Sequence, residues 1–330
     1  MTMNDSRLTL MMACVAGLTM TAQVHAYAPG NKVECIAPST PGGGWDFTCR
    51  SVGEVLSDLD LVPRSVQTIN MPGASGAVGF SHVLSKRQGD NSLLVATSTA
   101  TASQLALGRY PGSEEDVTWI SALGSDYGVI AVSSDREYDS LQQLMDAMVD
   151  NPKSVTFTGG SGVGGWDHLK VLLLAREAGV EPLNQITWLA STGGGSSITQ
   201  IMGGHVVAYS GDLTEAAGFL ESGDLKVLAV LAPERLEGEY ADLPTASEQG
   251  YDVTGANWRG FYMPGDISDE ARQYWIDAMD TLYVSEEWQQ RMVDSGLMKF
   301  HLSGDEFTAF VSDQVRIMRE LSTEIGLLEQ

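Results

Sequence analysis

The stretch Glu34-Cys35-Ile36-Ala37-Pro38-Ser39-Thr40-Pro41-Gly42-Gly43-Gly44-Trp45-Asp46-Phe47-Thr48-Cys49-Arg50 decides how this chain reads. An apolar, strand-like run meets three consecutive glycines, and a helical pattern starts directly after them. Glycine weakens regular structure because it loses the most freedom on folding. A triplet at the mouth of a helix therefore suggests that something must approach the backbone closely. The first amides of a helix lack intrahelical partners, and with the macrodipole they carry about half a positive charge. Carboxylates and phosphates bind there readily. Ser39 and Thr40 add hydroxyl donors ahead of Pro41, Gly42, Gly43 and Gly44.

Two further loops repeat the theme of strand, small residues and helix. Gly159–Gly165 contains Ser161 and Gly162, and Ser191–Ser196 contains Thr192 and Gly193. In open α/β sheets, ligands lie beyond the carboxyl ends of strands, which is where all three loops are expected. One such loop alone reads as turn geometry; three of them favour anion binding. None carries Arg or Lys, so the expected pocket is neutral and binds through dipoles.

Upstream, Arg7 precedes the apolar run Leu8–Met20, and small residues follow up to Ala26. That pattern predicts a cleaved signal peptide over residues 1–26 and export of the rest. A lipoprotein reading centred on Cys14 is the lesser alternative. The chain has 43 acidic and 19 basic residues, a net charge of −24. Removing the leader takes one acid, Asp5, and one base, Arg7, so the balance is unchanged. Such a surface argues against nucleic acid and anionic lipid as partners. The acids are scattered, which suits a salt-rich setting as well as an ordinary acidic exported protein. Beyond the leader only Cys35 and Cys49 remain, one on each side of the glycine stretch. In an oxidising compartment they pair or stay as two buried thiols, and the sequence leaves both open. With no CxxC and with His82, His168, His205 and His301 apart from one another, metal ligation is not expected. No cofactor is expected either.

Strand-like and helix-like segments alternate along the chain, which predicts an α/β architecture. Expected strands include Lys32–Ala37, Val66–Ile69, Ser92–Thr97, Gly128–Ser133, Ser154–Thr158, Ile186–Ala190 and Trp258–Met263. Expected helices include Asp46–Leu59, Ala77–Lys86, Ser140–Asn151, Asp167–Ala178, Ser268–Tyr283, Ser285–Ser295 and Gly304–Ile325. In the last, Phe307, Phe310, Val311, Met318, Leu321 and Ile325 form one stripe, which reads as core packing. Gly160–Gly165 matches GxGxxG, but the next strand does not end in the acid that a dinucleotide site needs. There is no GxxxxGK[ST], GxSxG or HExxH. Asp167 and His168 are neighbours on a helix and point apart, so with Ser161 they make a poor triad; the chain is not expected to be an enzyme.

Thr40–Arg50 resembles the PGGxxDxxxR signature of the extracytoplasmic solute receptors of tripartite tricarboxylate transporters, the TctC or Bug family. The likeness continues at Asn70–Gly76, at Gly160–His168, at Gly203–Val206, at Leu228–Val230, at Leu243–Thr245 and at Trp258–Phe261. GGGWDFTCR and GGWDHLK are similar to the tricarboxylate-receptor branch. The resemblance implies a two-lobed, type II periplasmic-binding-protein fold, Venus-flytrap-like, with crossing hinge strands. Lobe 1 is expected over residues 27–127 plus 254–330, and lobe 2 over residues 128–253. The resemblance further implies a periplasmic, monomeric receptor that captures a small carboxylate in the interlobe cleft. Citrate or another tricarboxylate is the expected ligand, with a dicarboxylate or an aromatic acid as the alternative. The receptor would deliver it to a membrane permease pair, a large multi-spanning subunit and a small four-helix one. A carboxylate-sensing module feeding a signalling partner is the rival role. Carried over residue by residue, the ligand set is Thr40 to Gly44 and Asp46 on one lobe, with Ser161, Gly162 and His168 on the other. Thr192 and Gly193 match the region that closes over the ligand's far end. Thr97, Ser98 and Thr99 are expected to line lobe 1, and Asp212 lobe 2. Trp45 and Trp166 either wall the pocket or pack within the lobes. The loop before His168, GVGGWD, is fuller than in most members, which bears on the distal pocket.

Overall fold

A computed structural model describes residues 27–39, 41, 43–191 and 194–328. The expected leader lies outside the described residues, as do Thr40, Gly42, Thr192 and Gly193.

The chain runs β1 (Glu34–Ala37), α1 (Gly44–Asp58), β2 (Gln67–Asn70), α2 (Ala77–Lys86), β3 (Leu93–Ser98), α3 (Thr99–Ala106) and β4 (Val117–Ser133). It continues through α4 (Leu141–Asp150), β5 (Thr156–Gly159), α5 (Trp166–Glu177), β6 (Thr187–Ala190), α6 (Gly194–Met202), β7 (Ala208–Asp212), α7 (Leu213–Glu221) and β8 (Leu225–Val230). It ends with β9 (Ala256–Pro264), α8 (Asp269–Tyr283), α9 (Glu286–Asp294), β10 (Met298–Ser303) and α10 (Gly304–Glu324).

The strand order is β2-β1-β3-β9-β4-β7-β5-β6. β1, β2 and β3 are parallel to one another, and so are β5, β6 and β7. Between the two parallel groups run β4 and β9, antiparallel to each other and to their other neighbours. β4 is 17 residues long, on the order of 55 Å at a strand's rise per residue. Its first part pairs with β9 and β10 and its last part with β7 and β8. One strand thus serves both halves of the two-lobed α/β fold.

Three elements depart from expectation. β4 starts at Val117, not Gly128: its first residues, VTWISALGSDY, mix large apolar with small and polar side chains in no strict alternation, and they are buried because partners cover both edges. α3 is not among the expected helices; Ser98 caps it by accepting from the Ala100 amide at 3.2 Å. β10 was not expected, and it exists because β4 offers it an edge.

Cys35 and Cys49 form a disulfide, with Cα atoms 5.8 Å apart, that ties β1 to α1. Beside it, Val52, Leu94, Ile120, Phe261, Trp275, Met279 and Trp288 pack α1, α8 and α9 against the sheet. The stripe on α10 is core as expected, with Phe307, Val311, Met318 and Leu321 buried. No helix among the described residues is long and apolar enough to cross a membrane.

Candidate functional site

Three strand-end loops of the first half are tied into one platform. Asn70, ending β2, donates to the Ser39 carbonyl at 3.1 Å and to the Asp46 carboxylate at 2.8 Å. The same carboxylate, 4 % exposed, accepts from Arg50 Nε at 3.0 Å. The Trp45 indole donates to Ser98 Oγ at 3.2 Å. Its ring lies against Gly76, where a Cβ would also run into the Tyr110 hydroxyl, so only glycine fits there. Trp45 therefore binds loops together, and Asp46 holds its own loop in shape. Thr99 Oγ1 donates to the Ala256 carbonyl at 2.8 Å, linking α3 to β9. Thr97 is fully buried, and its Oγ1 has no partner among the described residues; nor has the buried Ser39 Oγ.

At the centre stands the mouth of α1. Gly43 is the N-cap and brings no side chain to satisfy the first turn. The Gly44 and Trp45 amides find no acceptor among the described residues. Over this mouth lies Arg259, reaching in from β9. Its guanidinium carbon is 3.9 Å from where a Cβ on Gly44 would sit. The neutral pocket expected from the loops is thus corrected: a cation enters from a distant strand. β9 leaves Asn257 and Arg259 half-buried at alternate positions between buried neighbours, and that polar alternation was the available signal.

The second loop is largely engaged with itself. Ser161 Oγ accepts from the Asp167 amide at 3.0 Å, and its carbonyl accepts from Trp188 Nε1 at 3.2 Å. The Gly164 amide donates to His168 Nδ1 at 3.0 Å, which places the neutral ring's proton on Nε2. Burial pushes the His168 pKa down to about 4, so the ring is neutral at ordinary pH. Gly162 has open space where a side chain would be. The Trp166 indole N–H is buried and without an acceptor. Asp167 turns to Lys170 at 3.0 Å rather than to His168, so Ser161, His168 and Asp167 form no triad.

Lys170 is completely buried and joins Asp167 to Asp212, which it meets at 3.2 Å. Asp212, expected in the ligand set, has its other oxygen taken by Asn257 Nδ2. Both of its carboxylate oxygens are thus engaged within the protein. Asn257 in turn accepts from Arg259 Nη1 at 2.9 Å. Burial, and then the charge of Asp212, push the nearby Asp126 carboxyl up to about 7, while bonds from Thr214 and the charge of Arg259 oppose this.

The third loop leads to α6, and its mouth holds a carboxylate from the chain itself. Glu215 accepts from the Gly194 amide at 3.3 Å and from Tyr209 at 3.0 Å. A Cβ on Gly194 would collide with it. A carboxylate was expected at this loop from a ligand; at Gly194 the chain's own Glu215 takes that place. A separate cavity of about 520 Å³ lies elsewhere, lined by Tyr127, Glu234, Glu237, Glu239, Met292 and Lys299. No cluster of three or more His, Cys, Asp or Glu fit for a metal occurs among the described residues.

Two parallel half-sheets joined by shared antiparallel strands, with glycine loops at the strand ends, define a two-lobed periplasmic solute-binding fold. A family model for the tripartite tricarboxylate transporter family receptor matches residues 59–327, and the chain belongs to that family. Its members are binding receptors and not enzymes. Protein BugT of Bordetella pertussis (strain Tohama I) is 24 % identical over 98 % of this chain and 99 % of its own length. A TctC solute-binding protein from Polaromonas, solved without ligand, superposes with a TM-score of 0.79 at 22 % identity, covering 90 % of this chain and 99 % of that one. The R. palustris protein Rpa4515, solved with adipate, gives 0.70 at 20 % identity, covering 89 % of this chain and 97 % of the other.

Proposed function

We propose that this receptor captures a small carboxylate, citrate or another tricarboxylate first among them, between lobe 1 (residues 27–127 plus 254–330) and lobe 2 (residues 128–253). The observation that carries the reading is the mouth of α1, where the Gly44 and Trp45 amides lack acceptors and Arg259 faces them. Backbone amides and a guanidinium together make charge-assisted bonds to a carboxylate. The adipate bound by Rpa4515 supports the chemical class. The loop set Ser39, Thr40, Pro41, Gly42, Gly43, Gly44 would take the first carboxylate. On lobe 2 the Trp166 indole and His168 Nε2–H are donors that a ligand would satisfy on closure, beside Gly162. A ligand favours the closed form by whatever contacts only that form provides. The loaded receptor, exported after loss of residues 1–26, would then deliver its ligand to the permease pair.

Thermal unfolding with citrate, isocitrate, succinate, adipate, glutamate and terephthalate tests this. At least one should raise the melting temperature; no rise with any of them would defeat the reading.

A further inference from the structure

Arg259 faces the mouth of α1. It lies on β9 opposite Ser98 and is half-buried. Nη1 donates to Asn257 Oδ1, and Nη2 lies 3.9 Å from the Cβ position of Gly44. It forms no ion pair among the described residues. The positive end of α1 is what it faces, and like signs repel. The neighbouring carboxylates offset this only in part: Asp126 feels the charge of Arg259, but neither acid pairs with it directly. Asp212 is shared between Lys170 and Asn257, and Asp126 is turned to Thr214. Asn257, locked by Asp212, holds the guanidinium over the helix mouth instead of letting it swing to either acid. A fixed full charge beside a dipolar cradle suits two carboxylates standing close together. One would rest on the amides and the other on the free guanidinium edge.

We propose that Arg259 is the specificity-determining residue of the site and that it selects compact polycarboxylates, whose carboxyl groups lie a few bonds apart, over long-chain diacids. Asn257 is its positioning residue. The proposal rests on the carboxylate-receptor reading and sharpens it.

The test is calorimetry of the wild-type protein, Arg259→Gln and Arg259→Lys against citrate and adipate, with melting temperatures as the folding control. Wild type should bind citrate more tightly than adipate. Arg259→Gln should lose roughly tenfold to a hundredfold in citrate affinity, the range for a charged hydrogen bond, with adipate changed far less. Arg259→Lys should recover part of the citrate loss, since it restores charge without the fork. Equal losses for both ligands in a folded Gln variant, or no loss for either, overturn the proposal while leaving the receptor reading intact. A wild-type protein that binds neither citrate nor adipate overturns the selectivity itself; one that binds no carboxylate at all overturns the reading beneath it.

Discussion

Asp126, buried midway along β4, stands close to Asp212 at the end of β7. The folded state raises the Asp126 pKa to about 7, chiefly by burial, against an ordinary value near 3.8. Folded protein therefore binds this proton more tightly than unfolded chain. The stabilisation is full below about pH 4 and is lost as pH rises towards 7. Asp126→Asn removes the penalty and keeps an acceptor for Thr214. Its melting temperature should exceed that of wild type by a margin that widens from pH 5 to pH 8; a margin independent of pH would contradict this. Gly44→Val places two methyls in the cradle. The fold should survive, with carboxylate affinity down at least about tenfold, the worth of one charge-assisted bond; unchanged affinity by calorimetry would refute the amide cradle. At this scale the glycines were legible because their spacing to a helix start is local. Arg259 was not, because β9 brings it to the site across a sheet.

Elements were read best where one period dominates. Helices α2, α4, α8 and α10 appear within a residue or two of their expected bounds, since their apolar stripes, and for α4 and α8 the caps Ser140 and Ser268, are local signals. The first part of β4 and all of β10 were missed because each is a strand only in the presence of the other and of β9. The Gly194 amide that follows the third glycine loop meets Glu215, which lies on α7, beyond any local pattern. The link between β1 and α1 was left open by the sequence, and the fold closes it as a disulfide. With its ends 14 positions apart in sequence, removing it should cost roughly 3 kcal/mol by the loop-entropy estimate. The double variant Cys35→Ser/Cys49→Ser should melt several degrees lower, and the drop should match that of reduced wild type. An unchanged melting temperature would mean that the bond constrains nothing.

The whole molecule rests on β4, which runs through both half-sheets, and on β9 beside it; together they place the α1 mouth, Arg259 and the Asp212–Lys170–Asp167 group along one connected line. The alternation of strands and helices gave the α/β class, and the family resemblance gave the two lobes. The connection through the middle is a tertiary fact that no single segment carries. Crystals grown with whichever carboxylate gives the largest thermal shift test the central claim most directly. The account predicts carboxylate oxygens within about 3 Å of the Gly44 and Trp45 amides and of Arg259. Ligand density in the acidic-walled cavity beside Tyr127 and Lys299, with the α1 mouth bare, would contradict it.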